Sequence, residues 1–518
     1  MTSIKIKTWV FISIVSLSFF LIPGFNHGLW RPDEPRVAGT CAEMARTGDY
    51  VVPHLNGKPF LEKPPLYYAM GAVVGSILGE DKDYPYRIVS LLFGIITIII
   101  TFLIAFRKGG PVMGFIAGGI LASSWEFFML ARWVQVDIVL VFGVTLAMFA
   151  YQRWTDSSKV MDSIMLGLAT GVAFMAKGLV GPAIIAAAII TDSIRRRDIG
   201  IAWRLRPFVV LACMLIPILP WIIALWYRGG WPFIREVIVV NNLMRFTGAP
   251  EGAALGHQNG LLYYVELFPG NFLPWTLIFI PAFIASIRKF KDDPYVSWFM
   301  GPFILLSLAS TKRGLYLVPL YPAAACMTAN WLENAHRMKW EDIFLKMSWV
   351  VAIAGCLAPL AGIFLGMPAL GIGLSLLASS LALITMGSMK PHKGLSLVMV
   401  TIIAICACTT VYFHYMMPKK DYLGFARRAV AAAGSNEITL LHPDETLEGA
   451  FPMVTGKTMK VLSSPAVIRS EGVYLWAKKE DTFIKALNRQ VRVDVLLENK
   501  IGDKILRIAR IVPGTTGD

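Results

Sequence analysis

Residues 86–106 read YRIVSLLFGIITIIITFLIAF and are followed by Arg107-Lys108-Gly109-Gly110-Pro111. An α-helix needs about 20 apolar residues to cross a hydrocarbon core about 30 Å thick, and this run meets that requirement. Comparable runs recur along the 518 residues, of which 56% are hydrophobic and only 16% charged. Soluble domains carry about 25% charged residues. The sequence therefore predicts a multi-span membrane protein and excludes a disordered, fibrous or ordinary cytosolic one.

The apolar runs divide into thirteen predicted spans. The first runs from Trp9 to Ile22 and is interpreted as an uncleaved helix, because no small-x-small cleavage site follows it. Twelve more are predicted near 86–106, 111–130, 134–151, 162–177, 179–193, 207–227, 261–286, 295–310, 314–332, 346–365, 368–388 and 394–414.

The basic residues give these spans an orientation. The chain has 49 Lys and Arg against 34 Asp and Glu, a net charge of +15. With the N-terminus inside, every inside loop is basic, beginning with Lys5 and Lys7 and then Arg107 and Lys108. Because basic residues collect in cytoplasmic loops, the excess charge indicates topology and makes nucleic-acid binding improbable. The C-terminus is then outside.

Three segments outside the predicted spans are large enough to carry chemistry: 24–85, about 228–260, and the tail from about 415. The prediction is a membrane domain over 1–414, with its catalytic first outer loop at 24–85, and an extracytoplasmic α/β domain over 415–518. β-like runs in the tail lie at Ile438–Leu441, Lys460–Leu462, Gly472–Trp476, Val491–Leu497 and Ile505–Ile511, with a helical stretch at Thr482–Asn488.

Charge is densest in residues 31–63, where five acidic and five basic side chains cancel. Asp33 and Glu34 follow Trp30, a residue typical of the membrane–water interface. Glu62 and Lys63 precede the apolar run Leu66–Leu78, which is too short to span and suits a helix lying along the interface. There a carboxylate can accept a proton from a hydroxyl and a lysine can bind a phosphate. The structural alternative is that Asp33 caps a helix and that Glu62 and Lys63 form a surface ion pair.

More charges lie at the predicted outer ends of spans. Asp137 opens one span and follows Arg132, and Lys177 ends another. Lys312-Arg313 leads to Tyr316. Each could instead be a helix-terminus effect or an interface anchor. In the second outer loop, Arg245 and His257 are candidates for phosphate or acceptor contact, although a lone loop histidine is often only solvated.

These residues carry a resemblance to a known family. The motifs are Arg31-Pro-Asp-Glu-Pro-Arg36, Gly48-Asp49, His54-Leu-Asn-Gly57, Glu62-Lys-Pro-Pro-Leu66, Arg87, Ala131-Arg132 with Asp137, Lys177-Gly178, Arg245-Phe246, Phe272-Leu-Pro-Trp275 and Lys312-Arg-Gly-Leu-Tyr316. The chain resembles the GT-C polyprenyl-phosphate-sugar glycosyltransferases, which include protein O-mannosyltransferases and the lipid A 4-amino-4-deoxy-L-arabinose transferase. The likeness covers most of residues 1–330.

The resemblance implies a GT-C fold, an undecaprenyl-phosphate sugar donor and inversion at the anomeric carbon, with the site at the outer surface of the bacterial inner membrane. It implies that Asp33 is the base or an acceptor contact and that Asp137 is a second acidic site residue. Lys63 would bind the donor phosphate, with Arg245 and Tyr316. We add Glu34 to the catalytic candidates and Arg132 to the phosphate contacts. A divalent metal near Glu62 and His257 is an analogy only, and no other cofactor is expected.

Two departures from the family pattern leave the acceptor open. Asn242 stands where aminoarabinose transferases usually have histidine, and Lys312-Arg-Gly-Leu-Tyr316 replaces their Lys-Leu-Pro-Thr-Tyr. Lipid A, a protein hydroxyl and another envelope glycan remain candidates. The rival function is a lipid or sugar transporter or flippase. Transporters usually place ionisable groups near the bilayer midplane and often show duplicated halves, whereas here the charges lie at span ends.

Overall fold

The computed structural model describes residues 27–249, 259–334, 339–389, 392–463, 471–480 and 491–513. The first predicted span and the helical stretch Thr482–Asn488 lie outside these ranges. The α-helices are α1 Asp33–Thr47, α2 Leu66–Leu78, α3 Tyr84–Ser123, α4 Trp125–Leu130, α5 Asp137–Ser157, α6 Val160–Lys177, α7 Val180–Arg196, α8 Ile201–Arg204, α9 Pro207–Ile234, α10 Arg245–Thr247, α11 Tyr263–Asn271, α12 Thr276–Arg288, α13 Pro294–Leu308, α14 Tyr321–Asn334, α15 Lys339–Leu357, α16 Pro368–Ser388, α17 Lys393–Lys420, α18 Tyr422–Ala433 and α19 Glu445–Thr455. A π-helix covers Arg235–Met244, and 3₁₀ helices cover Gly314–Leu320, Ala358–Ile363 and Lys478–Glu480. The strands are β1 His54–Leu55, β2 Lys58–Pro59, β3 Ile438–Leu441, β4 Lys460–Leu462, β5 Gly472–Ala477, β6 Val491–Ile501 and β7 Lys504–Pro513.

Helix α3 contains the apolar run of residues 86–106, and it is two helices joined at a kink. Gly110 has φ 79° and ψ −172°, a conformation that glycine adopts readily. Pro111 follows and cannot continue the helical hydrogen bonding. Phe102 and Phe115 then face each other across the turn with ring centroids 4.9 Å apart. The predicted pair of spans with Arg107 and Lys108 between them is therefore confirmed as a helical hairpin.

Within the described ranges, seven helical segments are long and apolar enough to cross a membrane. They are Tyr84–Ser123, Asp137–Ser157, Val160–Lys177, Pro207–Thr247, Trp340–Ile363, Pro368–Ser388 and Lys393–Ala433. Leu66–Leu78, Thr276–Arg288 and Pro294–Leu308 are shorter apolar helices. The membrane all-α fold with a small C-terminal α/β unit is confirmed, whereas the number of thirteen spans stays a prediction.

The first loop folds as three short elements. Helix α1 begins at Asp33, and its first turn carries both Asp33 and Glu34. Acidic side chains in the first turn interact favourably with the helix dipole. The helix ends at Gly48, which has φ 69°. Strands β1 and β2 form a hairpin around Asn56-Gly57, and α2 covers the predicted interfacial helix Leu66–Leu78.

The tail forms a five-stranded mixed sheet in the order β4-β3-β5-β7-β6. Strand β3 pairs in parallel with β4 and β5, and β7 pairs antiparallel with β5 and β6. Each β-like run in the sequence corresponds to one of these strands. Helices α18 and α19 were not predicted. Helix α17 continues to Lys420, past the predicted domain division at 414/415, which stays a prediction.

Helix α19 of the tail packs directly on α1 of the first loop. The two backbones meet at Gly39 and Gly449, where a Cβ atom on Gly39 would lie 2.6 Å from the Cα of Gly449. The side chain of Asn56 accepts a hydrogen bond of 2.6 Å from the Met459 N–H and donates one of 3.1 Å to the Met459 carbonyl. The tail is thus built onto the loop that carries the candidate catalytic residues.

Candidate active site

A cavity of about 310 Å³ lies beside the first loop, the π-helix and helices α6, α7 and α13. Its polar lining includes four cationic side chains, Lys63, Lys177, Arg245 and Arg313. Its apolar lining residues are Leu179, Val180, Ala183, Leu243, Phe246, Leu305, Leu306 and Ala309. An amphiphilic molecule with an anionic head and a hydrocarbon chain matches both sets of residues.

Glu62 and Lys63 belong to the polar lining. Glu62 accepts a hydrogen bond of 3.0 Å from Arg245, and its other oxygen lies 3.2 Å from Arg36 Nη1 and 3.6 Å from Lys63 Nζ. Although burial acts to raise the pKa of Glu62, Lys63, Arg36 and Arg245 hold it well below its usual range. Burial lowers the pKa of Lys63, an effect that Glu62 only partly offsets. The predicted alternative of a surface ion pair is wrong in one respect, because Lys63 is only 6% exposed.

Asp33 lies at the edge of this cluster. One carboxylate oxygen pairs with Arg36 and lies 3.7 Å from Arg313 Nη1. The other accepts a hydrogen bond of 2.9 Å from Gln135 Nε2. Burial acts to raise the pKa of Asp33, but the positive charges of Arg36 and Arg313 outweigh it and the pKa is lowered. Asp33 is therefore ionised and held by three side chains from three parts of the sequence. Its side chain makes no cap hydrogen bond to α1, so the helix-capping alternative is wrong.

Asp137 and Lys177 pair with each other at the first turn of α5 and the end of α6. Lys177 Nζ also lies 4.1 Å from the ring centroid of Tyr316, a distance typical of a cation–π contact. Lys177 and Tyr316 both line the cavity, and Asp137 contacts this lining by pairing with Lys177. The predicted residues Lys63, Arg245 and Tyr316 thus line one cavity, and Asp137 pairs with the lining residue Lys177.

Glu34 and Arg132 lie in a different environment. Glu34 accepts hydrogen bonds of 2.7 Å from Arg87, 3.0 Å from the Val134 N–H and 2.9 Å from the Trp30 N–H. Arg132 donates to the Phe128 carbonyl at 2.8 Å and stacks over the Phe128 ring. Neither side chain lines the cavity; Asp33 does not line it either, but Asp33 lies 3.7 Å from the lining residue Arg313. The predicted roles of Glu34 in catalysis and of Arg132 in phosphate binding are not supported by this placement.

The charges around Glu62 do not favour a metal ion. A divalent cation there would meet the positive charges of Arg36, Lys63 and Arg245. In the part of the chain that the structure describes, no group of three or more His, Cys, Asp or Glu side chains could hold a metal. The other predicted ligand, His257, lies outside the described residues.

Several residues of the site were not assigned a role from sequence. Arg36 bridges Asp33 and Glu62, and its position three residues after Asp33 on a helix was an available signal. In Lys312-Arg313, only Arg313 faces the cavity, because Lys312 donates to the Asn259 and Ala309 carbonyls. The Asn242 side-chain oxygen accepts a hydrogen bond of 2.8 Å from the Leu179 N–H and so fixes the turn between α6 and α7.

The chain is similar to several known proteins. Residues 62–224 match the family described as dolichyl-phosphate-mannose-protein mannosyltransferase. The undecaprenyl phosphate-alpha-4-amino-4-deoxy-L-arabinose arabinosyl transferase of Edwardsiella ictaluri is 27% identical over 340 residues, 64% of this chain and 60% of that protein. The enzyme of the same name from Serratia proteamaculans is 27% identical over 71% of this chain and 66% of its own length. The chain therefore matches about three fifths of the length of such relatives.

The fold comparison extends over the whole molecule. The crystal structure of ArnT from Cupriavidus metallidurans bound to undecaprenyl phosphate superposes with a TM-score of 0.79, at 20% identity, over 97% of this chain and 98% of that one. The chain therefore has the GT-C fold of that glycosyltransferase. The shared fold includes the tail, because the superposition covers it. The chain is accordingly a multi-pass membrane protein.

Proposed function

We propose that this GT-C protein transfers a sugar from a polyprenyl phosphate, such as undecaprenyl phosphate, to an acceptor of the bacterial cell envelope. The observation that carries the proposal is the cavity lined both by cationic side chains and by a larger set of apolar ones. Lys63, Arg245 and Tyr316 would bind the phosphate, and α7 and α13 would contact the first isoprene units. The names of the arabinosyl transferase relatives and the undecaprenyl phosphate bound to ArnT support this assignment.

In the proposed reaction, an acceptor oxygen attacks the anomeric carbon while the bond from that carbon to the phosphate oxygen breaks. The polyprenyl phosphate leaves with the electron pair, so negative charge on it grows. Preorganised cations beside that charge stabilise the transition state more than the ground state. Lys63 and Arg245 meet this requirement, because Lys63 is buried, the Arg245 side chain is only 13% exposed, and both pair with Glu62.

Asp33 would act on the acceptor. For a hydroxyl acceptor it takes the proton, and for an ionised phosphate acceptor no base is needed and it only positions the nucleophile. Its lowered pKa keeps the carboxylate charged but makes it a weak base. The acceptor remains lipid A, a protein hydroxyl or another envelope glycan.

We also propose that the cavity faces the outer side of the bacterial inner membrane. Basic residues predicted to lie inside, Arg107, Lys108, Arg195, Arg196 and Lys291, line a separate cleft together. None of them lines the candidate active site. The positive-inside rule then assigns that cleft to the cytoplasm and leaves the active site outside.

The test is transfer by the purified protein in detergent, with an undecaprenyl-phosphate sugar as donor. Lipid A, envelope glycan and peptide acceptors would be analysed by mass spectrometry. Envelope lipids and glycans of strains with and without the gene identify the natural pair. A sugar–acceptor product supports the proposal. A transporter or flippase makes none, so absence of product with every donor, together with movement of lipid across vesicles, would contradict it.

A further inference from the structure

The tail contributes a charged side chain to the cluster around the cavity. Glu445 is the first residue of α19, and its carboxylate accepts a hydrogen bond of 2.7 Å from Arg36 Nη1. The same nitrogen lies 3.2 Å from Glu62, while Nη2 of Arg36 pairs with Asp33. One guanidinium group therefore joins three carboxylates, one each from α1, the first-loop segment before α2, and the tail.

Helix α19 is held in this position from several directions. Asp444, its N-cap residue, accepts from the Leu447 N–H at 3.2 Å and from Lys504 of β7 at 2.5 Å. One turn beyond Glu445, Gly449 approaches α1 so closely that a Cβ atom there would lie 2.2 Å from the Pro35 carbonyl oxygen. A hydrogen-bonded pair between rigid helices has little freedom to rearrange.

Arg36 can relay the position of Glu445 to Asp33 and Glu62. Its side chain is only 10% exposed, and its planar fork of donors fixes the direction of each partner. With Glu445 present, the guanidinium is shared among three anions. Without Glu445, it would move toward Asp33 and Glu62 and pair with them more strongly.

We infer that Glu445 is a positioning residue, through which the C-terminal domain sets the Arg36 guanidinium against Asp33 and Glu62. This inference rests on the proposed transferase function and deepens it. The tail then completes the active site, because the reactive geometry of Asp33 depends on a residue that follows it by more than four hundred positions in the chain. The site is then active only when the tail is docked on the first loop.

The experiment compares Glu445→Gln with Glu448→Gln in the full-length protein. Glu448 lies on the same helix and pairs with Lys58 at 3.6 Å, away from Arg36. Misplacement of a reacting group by about 1 Å can cost a factor of about 10² in rate. We expect kcat of Glu445→Gln to fall by about ten- to hundred-fold with acceptor KM unchanged. Glu445→Asp should recover part of the loss, and Glu448→Gln should behave like the wild type.

The pH dependence gives a second readout. The charged groups facing Asp33 are Arg36, Arg313, Lys63 and Glu62. When Glu445 no longer shares Arg36, the positive charge acts more fully on Asp33. The acid limb of the pH profile of kcat, where the rate falls as Asp33 is protonated, should therefore move to lower pH in Glu445→Gln. A kcat close to wild type with an unmoved limb would overturn the inference, as would a raised acceptor KM with unchanged kcat.

A backbone variant tests the docking itself. Gly449→Ala should separate α19 from α1 and reduce kcat at least as much as Glu445→Gln. Gly472→Ala is the control in the same domain, since the nearest atom to its new Cβ would be a Tyr474 ring carbon at 3.4 Å, an ordinary van der Waals contact. Wild-type kcat in Gly449→Ala would overturn the inference.

Failure of the proposed function would look different. If the wild type makes no product, the transferase proposal fails, and hydrogen exchange of residues 33–47 then tests the contact. Faster exchange in Glu445→Gln than in Glu448→Gln supports the link from tail to α1. Equal exchange in the two variants overturns it.

Discussion

Asp33 and Glu34 are neighbours in sequence but belong to two different regions of the molecule. Glu34 lies in a closed network, where its oxygens accept from Arg87 and from two backbone N–H groups, and it is 3% exposed. Asp33 lies in a network that borders the cavity, with Arg36, Arg313 and Gln135 as partners. Because successive residues on a helix point about 100° apart, adjacent carboxylates can face different surroundings.

The comparison separates structural charge from chemical charge. Around Glu34, three donors hold a carboxylate that is buried and does not line the cavity. Around Glu62 and Lys63, the cations line a cavity that a ligand can enter. Dense charge in residues 31–63 therefore has two causes. One part ties the first loop to α3 through Arg87, and the other forms the candidate active site.

The largest expected effect is on catalysis at the open network. Asp33→Asn should reduce kcat by about 10²–10⁴-fold, the range for losing a general base, while the amide keeps the side-chain shape. The protein should elute and melt like the wild type, because Arg36 retains Glu62 and Glu445. Transfer assays and thermal unfolding in detergent check both statements. Near-normal turnover would remove Asp33 from the mechanism.

The closed network should give the opposite pattern. Glu34→Gln leaves Arg87 buried without its main counter-charge, and breaking a buried pair costs about 3–5 kcal/mol of stability. We expect a lower thermal midpoint but a specific activity close to wild type in the folded fraction. Loss of turnover in a fully stable Glu34→Gln protein would restore Glu34 to the catalytic residues.

Removal of Lys63 should weaken stabilisation of the leaving phosphate. Lys63→Ala is expected to lower kcat by about 10²–10³-fold, as for loss of one preorganised donor. Lys82→Ala is the matched control, because Lys82 is exposed and donates only to the Leu78 carbonyl and the Tyr84 hydroxyl. Equal activity of the two variants would contradict the assignment.

The pH dependence gives the smallest effect. Lys63 has a lowered pKa because of burial, and only its protonated form binds a phosphate. The value of kcat/KM should therefore fall as pH rises through this pKa, before the ordinary lysine value of about 10.4. In Lys63→Arg the fall in kcat/KM should begin at a higher pH, since guanidinium stays charged. A fall at the same pH as in the wild type would show that another group is responsible.

Much of the fold followed from local sequence. The periodicity of hydrophobic residues and the helix-breaking residues Gly and Pro are properties of neighbouring positions in the sequence. They predicted the hairpin at Gly110-Pro111, the helix Leu66–Leu78 and all five strands of the tail. Helices α18 and α19 were missed because they are short and lie in a segment read for strands. Helix α19 also carries Pro452, which weakened any helical pattern there.

The site was only partly predictable. The resemblance to a known family pointed to Lys63, Arg245 and Tyr316, and these share one cavity. The charge pattern alone could not separate Asp33 from Glu34 or Lys312 from Arg313, because those choices depend on which way each side chain points after packing. The contact between Arg36 and Glu445 joins residues 409 positions apart, and nothing local marks it.

Binding of undecaprenyl phosphate tests the central claim most directly, namely that the cavity beside Lys63 holds a lipid phosphate. Native mass spectrometry would measure its affinity for the wild type, Lys63→Ala and the control Lys82→Ala. We predict that the wild type and Lys82→Ala bind equally and that Lys63→Ala binds at least about ten-fold more weakly, the loss of a charge-assisted contact worth about 1.4 kcal/mol or more. Equal binding by all three proteins would contradict the account.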